Sequence, residues 1–156
     1  MRSSVWISIL SGGLVAGTVD IGAAALINQV GPVLILHYIA AGLLGPSAAL
    51  AGGTPAAVLG LILQWAMSLI IAAIFVFATE RWPALRRSWL PWGLAYGVAI
   101  FFVMNYVVLP LSAAMPKPHL PHFTVVHFIE NMLAMLLFGT IVAYFASRRE
   151  RTASSA

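Results

Sequence analysis

Residues 55–79, PAAVLGLILQWAMSLIIAAIFVFAT, run for 25 positions without one charged side chain. As a helix the segment rises roughly 37 Å at 1.5 Å per residue, more than the ~30 Å hydrocarbon core of a bilayer. A charged side chain at bilayer depth costs on the order of 3 kcal/mol, so a long uncharged run is what a lipid solvent requires. The segment reads as a transmembrane helix, and the rest of the chain is arranged around it.

Residues 5–29, 91–111 and 122–147 are the other apolar runs that reach the length of about 20 residues needed to cross. The stops between them are chemically marked: Gly31-Pro32, then Glu80-Arg81-Trp82-Pro83, then Met115-Pro116-Lys117-Pro118. Between the first two spans lies VLILHYIAAGLLG, residues 33–45, too short to cross and too apolar for a solvated loop. It is expected as an interfacial or re-entrant helix whose backbone groups are paired internally. The predicted fold class is therefore an all-α integral membrane protein, a four-transmembrane-helix bundle with a short extra helix between helices 1 and 2, forming one domain over residues 1–151. Residues 152–156 are expected to be a disordered tail.

Composition agrees. Of the 156 residues 62% are hydrophobic and only 8% charged, and the mean hydropathy is +0.99, so a water-facing surface cannot be covered with polar groups. The absence of cysteine excludes disulfides, thiolate metal sites and iron–sulfur clusters. No basic stripe with interleaved aromatics is present, so nucleic acid is not an expected partner; the lipid bilayer is. Seven basic residues, Arg2, Arg81, Arg86, Arg87, Arg148, Arg149 and Arg151, fall on one side of the spans and only Lys117 on the other. The positive-inside rule then puts both termini and the 80–90 loop in the cytoplasm. The first span is read as retained, because its apolar region exceeds the roughly 7–15 residues of a cleaved leader and Asp20 would precede the cleavage-like Gly22-Ala23-Ala24-Ala25.

Each span carries one stripe of small and polar residues at spacings of three and four, the face expected to point inward. The stripes are Gly13, Gly17, Asp20, Ala24 and Asn28; Ala57, Gly60, Gln64 and Ser68; Gly93, Gly97, Phe101, Asn105 and Ser112; and His127, Glu130, Asn131 and Ala134. Asp20, Gln64, Asn105 and Glu130 each fall roughly 4–6 Å to the outer side of their helix midpoints at 1.5 Å per residue, so they are expected to share a layer. His127 lies about one turn further out, toward the segment bearing His37. The candidate site is thus Asp20, Gln64, Asn105, His127, Glu130 and Asn131, with Asn28 and His37 as accessories. Gly13, Gly17, Gly93 and Gly97 are the candidate helix-packing positions.

Gln64 and Asn105 alone need no role beyond register, since polar contacts between membrane helices contribute about 0.6 kcal/mol each. Two carboxylates in one apolar layer are different. They repel, and a proton held on one of them relieves the repulsion, which is how intramembrane proton and ion paths are built. His127 and Glu130, three apart, would give a metal two ligands, but a di-iron bundle needs an acid-and-histidine pair from each of two helices. No metal is expected at the site, nor any cofactor. His119 and His122 are expected as solvated loop residues, and neither a Gly-x-Ser-x-Gly elbow nor a His-Glu-x-x-His motif occurs.

The run FATERWPALRRSWLPWGLAYG, the following NYVVLPL, the proline-punctuated MPKPHLP and a final helix with HFIEN ending in SRRE resemble the YagU-like family of small bacterial inner-membrane proteins, over residues 75–150. The resemblance implies a bacterial inner-membrane location and supplies no catalytic residues. The short apolar segment between the first two spans departs from that pattern. Three functional readings follow from the residues. The first is a structural or accessory membrane protein in which the polar layer fixes register, with a homo-oligomer or another membrane subunit as partner. The second is a proton- or ion-coupled permeation module working as an oligomer. The third is an enzyme acting on a membrane lipid with Asp20 or Glu130 as acid or base.

Overall fold

The computed structural model describes residues 2–115 and 124–148, with side chains from residue 4 onward. Every regular element among them is helical. In chain order these are α1 (Arg2–Ile27), α2 (Pro32–Leu44), α3 (Pro46–Ala51), α4 (Gly53–Arg81), α5 (Ala84–Arg87), α6 (Trp89–Val103), a π-helical turn (Met104–Val108), α7 (Leu109–Leu111) and α8 (Val125–Ser147). Four rods are long and apolar enough to cross a membrane: Ser4–Ile27, Gly53–Arg81, the composite Trp89–Leu111, and Val125–Ser147. The short helix between the first two spans is α2. The short helices α3 and α5 were not expected from the sequence. Lys117, His119, His122 and the tail 152–156 lie outside the described residues.

The helix ends follow from local chemistry. Gln29 adopts a left-handed φ of 55°. That lets the Val30 amide reach the Ala25 carbonyl (3.1 Å) and the Gln29 amide the Leu26 carbonyl (3.2 Å), closing α1 as a Schellman motif. Pro32 then starts α2 at a position where a missing N–H costs nothing. Gly45, at φ 82°, ends α2 and turns the chain into Pro46. At the far end of the chain the Thr124 hydroxyl accepts the His127 amide (3.3 Å), so α8 begins at Val125 rather than at residue 122.

In the bundle α8 packs on both α6 and α1, and α1 on α4, while α2 lies on α4. The α6–α8 crossing is made by glycine: a Cβ on Gly139 would lie 2.8 Å from the Gly97 Cα, and one on Gly93 would lie 3.1 Å from the Gly139 carbonyl oxygen. Gly13 and Gly17 play the same part on α1, against Leu69 and Ser68 of α4. The two outer members of this series, α4 and α6, do not share such a backbone contact. They meet through Tyr96, whose hydroxyl donates to the Ile71 carbonyl (2.7 Å) and whose ring lies 5.0 Å from that of Phe75. The bundle is therefore a C in cross-section, open between α4 and α6.

Near the chain-terminal end, a core of Ile9, Phe75, Val76, Phe138 and Val142 with the small residues Ala16, Ala72, Ala143 and Ala146 fills the interior. Large apolar side chains such as Ile62, Ile70, Ile74 and Phe77 face outward. That inversion of the water-soluble pattern is expected where the solvent is hydrocarbon.

A polar cavity beneath α2

Above the apolar plug the interior opens into a cavity of about 220 Å³. Asp20 enters it from α1, Gln64 and Ser68 from α4, Asn105 from the π-helical turn and Asn131 from α8, among Met67, Met104 and Met135. The Gln64 side-chain amide donates to Asp20 Oδ2 (2.8 Å) and to the Gly17 carbonyl (3.3 Å). Gly17 has no side chain to keep Gln64 away from that carbonyl, and a Cβ there would collide with Ser68 Oγ. This ties the packing stripe of α1 directly to the polar one.

The two asparagines are oriented by their own helices. Asn105 Nδ2 donates to the Phe101 carbonyl (2.9 Å) and Asn131 Nδ2 to the His127 carbonyl (2.8 Å). A backbone carbonyl only accepts, so each amide must turn its NH₂ to it and the amide oxygen is left over. The same argument leaves Gln64 Oε1. Around Asp20 the cavity therefore presents these amide oxygens beside the second N–H of each asparagine, and no Lys, Arg or His lines it.

The π-helical turn adds to this. Pro110 has no N–H and cannot continue the α-helical ladder. The Leu109 amide bonds the Met104 carbonyl, five residues back. The carbonyl of Asn105 then loses Leu109 as its α-type donor, and its π-type donor would be the amide Pro110 lacks. The extra residue in the turn carries Asn105 on the cavity wall.

Toward α2 the cavity continues into a vestibule of about 380 Å³ that shares Ala24, Gln64, Met67, Met104, Leu109 and Asn131 with it and adds Asn28, Tyr38 and Ser112. The helix α2 is fastened over this space at three points. The Leu36 carbonyl sits against Gly60 of α4, where a Cβ would clash. The Ala113 amide donates to the Gly42 carbonyl (2.9 Å). The His37 ring lies between the carbonyls of Val33 (2.8 Å) and Gly53 (2.9 Å). His37 lines neither the cavity nor the vestibule, and its place is at the α2–α4 joint.

Glu130 and His127 do not join Asp20, contrary to the expectation of one shared layer. Neither lines the cavity or the vestibule. Glu130 Oε2 is 3.2 Å from His127 Nδ1 on a face where the two side chains are 41% and 51% exposed. The reason is the rotation of α8: Asn131, Met135 and Phe138 turn inward, and Glu130, one residue from Asn131, lies about 100° around the helix. No cluster of three metal-ligating side chains occurs among the described residues.

Sequence reasoning missed the methionines and Tyr38. Met135 was within reach as the residue four on from Asn131, and Pro110 inside an apolar span was the signal for the turn that carries Asn105. No family model, curated protein or solved structure matches the chain.

Proposed function

We infer that this chain is a membrane module that reversibly binds a small cation, or a proton, at Asp20, reached through the vestibule under α2. The observation carrying the reading is the Asp20–Gln64 pair in a polar cavity that no Lys, Arg or His lines, with the apolar core closing the side away from the vestibule. A carboxylate withdrawn from water is costly unless a positive charge or a proton accompanies it. Here the neighbours supply oxygen ligands and no countercharge. The seven-to-one division of basic residues supports, within this proposal, an orientation with both termini cytoplasmic and the vestibule facing outward, and the resemblance noted above suggests a bacterial inner membrane. Permeation through four spans calls for self-association, and an accessory role with a partner subunit uses the same site.

Asp20→Asn tests the reading. The amide keeps an acceptor for Gln64 and removes the charge, so the fold should persist while binding and flux of sodium, potassium, methylammonium or protons in proteoliposomes fall to the level of empty liposomes. Glu130→Gln, outside the cavity, should leave them at the wild-type level. If wild-type protein neither binds nor passes any of these ions across imposed pH and ion gradients, the polar layer is register glue and the proposal fails.

A further inference from the structure

The opening between α4 and α6 is an apolar recess in the lipid-facing surface. Two apolar hollows lie in it, about 260 and 400 Å³, and they share Ile74, Tyr96 and Ala99. Together they form one groove running from Ala78 to Met67 along α4. Eleven residues of helix rise roughly 16 Å, about half of the ~30 Å hydrocarbon core, which is the depth of one leaflet. Ala95 and Ala99, a turn apart and both exposed, hold the groove open where larger side chains would fill it. One of its ends is defined by Leu85 of α5 and by Trp92, an indole 47% exposed.

That end is also the positive end. Arg81 closes α4, Arg86 and Arg87 follow Leu85, and Arg81 and Arg87 are exposed. Arg86 is partly committed to Glu80 at 3.7 Å. An apolar groove one leaflet deep, with Trp92 at its end, exposed Arg81 a turn beyond Ala78 and exposed Arg87 two residues beyond Leu85, matches one molecule: a lipid with an acyl chain and an anionic head. We propose that the α4–α6 groove is a binding site for an anionic phospholipid of the leaflet facing the basic end, its phosphate on Arg81 and Arg87 and one acyl chain along Ala95 and Ala99. This lipid would complete the wall that α4 and α6 leave open, and the proposal does not depend on what the Asp20 cavity binds.

Native mass spectrometry of the detergent-solubilised full chain, incubated with phosphatidylglycerol and phosphatidylcholine of identical acyl chains, tests it. Each basic residue near an anionic head contributes about fivefold, so two predict a preference for phosphatidylglycerol of about thirtyfold. Arg81→Gln with Arg87→Gln should abolish the preference while phosphatidylcholine retention stays unchanged. Ala95→Phe should reduce retention of both lipids by blocking the groove, and Ala99→Phe provides an independent filler should the first variant fold poorly. Three results overturn the proposal: equal retention of the two lipids by wild type, a preference that survives the double arginine change, or disulfide dimers of Ala99→Cys forming in high yield in vesicles, which would assign the groove to a second copy of this chain.

Discussion

Replacing Gly97 by Ala adds one methyl group where α6 crosses α8. Its position lies 2.8 Å from the Leu136 Cα and 3.0 Å from the Met135 carbonyl carbon, and against the carbonyl oxygen. Ordinary carbon contacts are about 3.5–4.0 Å, so the helices must part by roughly 0.5–1 Å, since the obstructing atoms are backbone and cannot rotate away. A gap of that size forfeits about a quarter to a half of each dispersion contact along the crossing, and overpacking of this kind costs about 1–3 kcal/mol. Against it stands the higher helix propensity of Ala, at most about 1 kcal/mol and less in lipid, where the backbone is already held helical. The net expectation is a loss of about 1–2 kcal/mol. Gly22 supplies the control, because a Cβ there meets nothing within 4 Å. Gly22→Ala should be neutral or stabilise by up to about 1 kcal/mol. Reversible unfolding in mixed micelles of mild and denaturing detergent, followed by tryptophan fluorescence, would rank the proteins. If Gly97→Ala proved as stable as wild type, or if both substitutions moved stability equally, the glycine-mediated crossing described above would be wrong.

Other substitutions test the walls of the cavity. Pro110→Ala restores the missing N–H and should let the π-helical turn relax into α-helix, rotating Asn105 by up to about 100°; a cysteine at position 105 would then change its reactivity toward water-soluble maleimide relative to the Pro110 parent. Gly60→Ala places a methyl group on the Leu36 carbonyl and should lift α2 from α4, raising the labelling rate of a cysteine at Tyr38 several-fold while leaving one at Ile62 unaffected. Thr124→Ala removes the acceptor of the His127 amide and should cost about 1 kcal/mol, read as faster hydrogen exchange confined to the first turn of α8.

The fold was legible because hydropathy reports the solvent, and lipid permits few backbone solutions. A run such as residues 55–79, uncharged for 25 positions, has no alternative to a helix in a bilayer. The proline and glycine stops then separate the spans, and the apolarity of residues 33–45 demanded a paired backbone, which α2 provides. The polar stripe was readable for the same reason: Asp20, Gln64 and Asn105 cannot face lipid cheaply, so their faces had to be inward. Boundaries were less legible. The Thr124 cap and the short helices α3 and α5 depend on a few local dihedral angles that apolar periodicity does not encode.

By itself, then, the sequence determined that four apolar helices share a bundle and that each has one preferred inner face, since both follow from transfer free energies summed along a single segment. It did not determine which of two adjacent polar residues on α8 enters the cavity. Asn131 and Glu130 stand about 100° apart, and a stripe of His127, Glu130 and Asn131 is compatible with either. The choice came from the glycine crossing of Gly139 with Gly93 and Gly97, which sets the rotation of α8 through close backbone contact with another helix. The opening between α4 and α6 arises in the same way: close backbone packing draws α6 to α8 and α4 to α1, and only tertiary packing decides that the two remaining flanks stay apart.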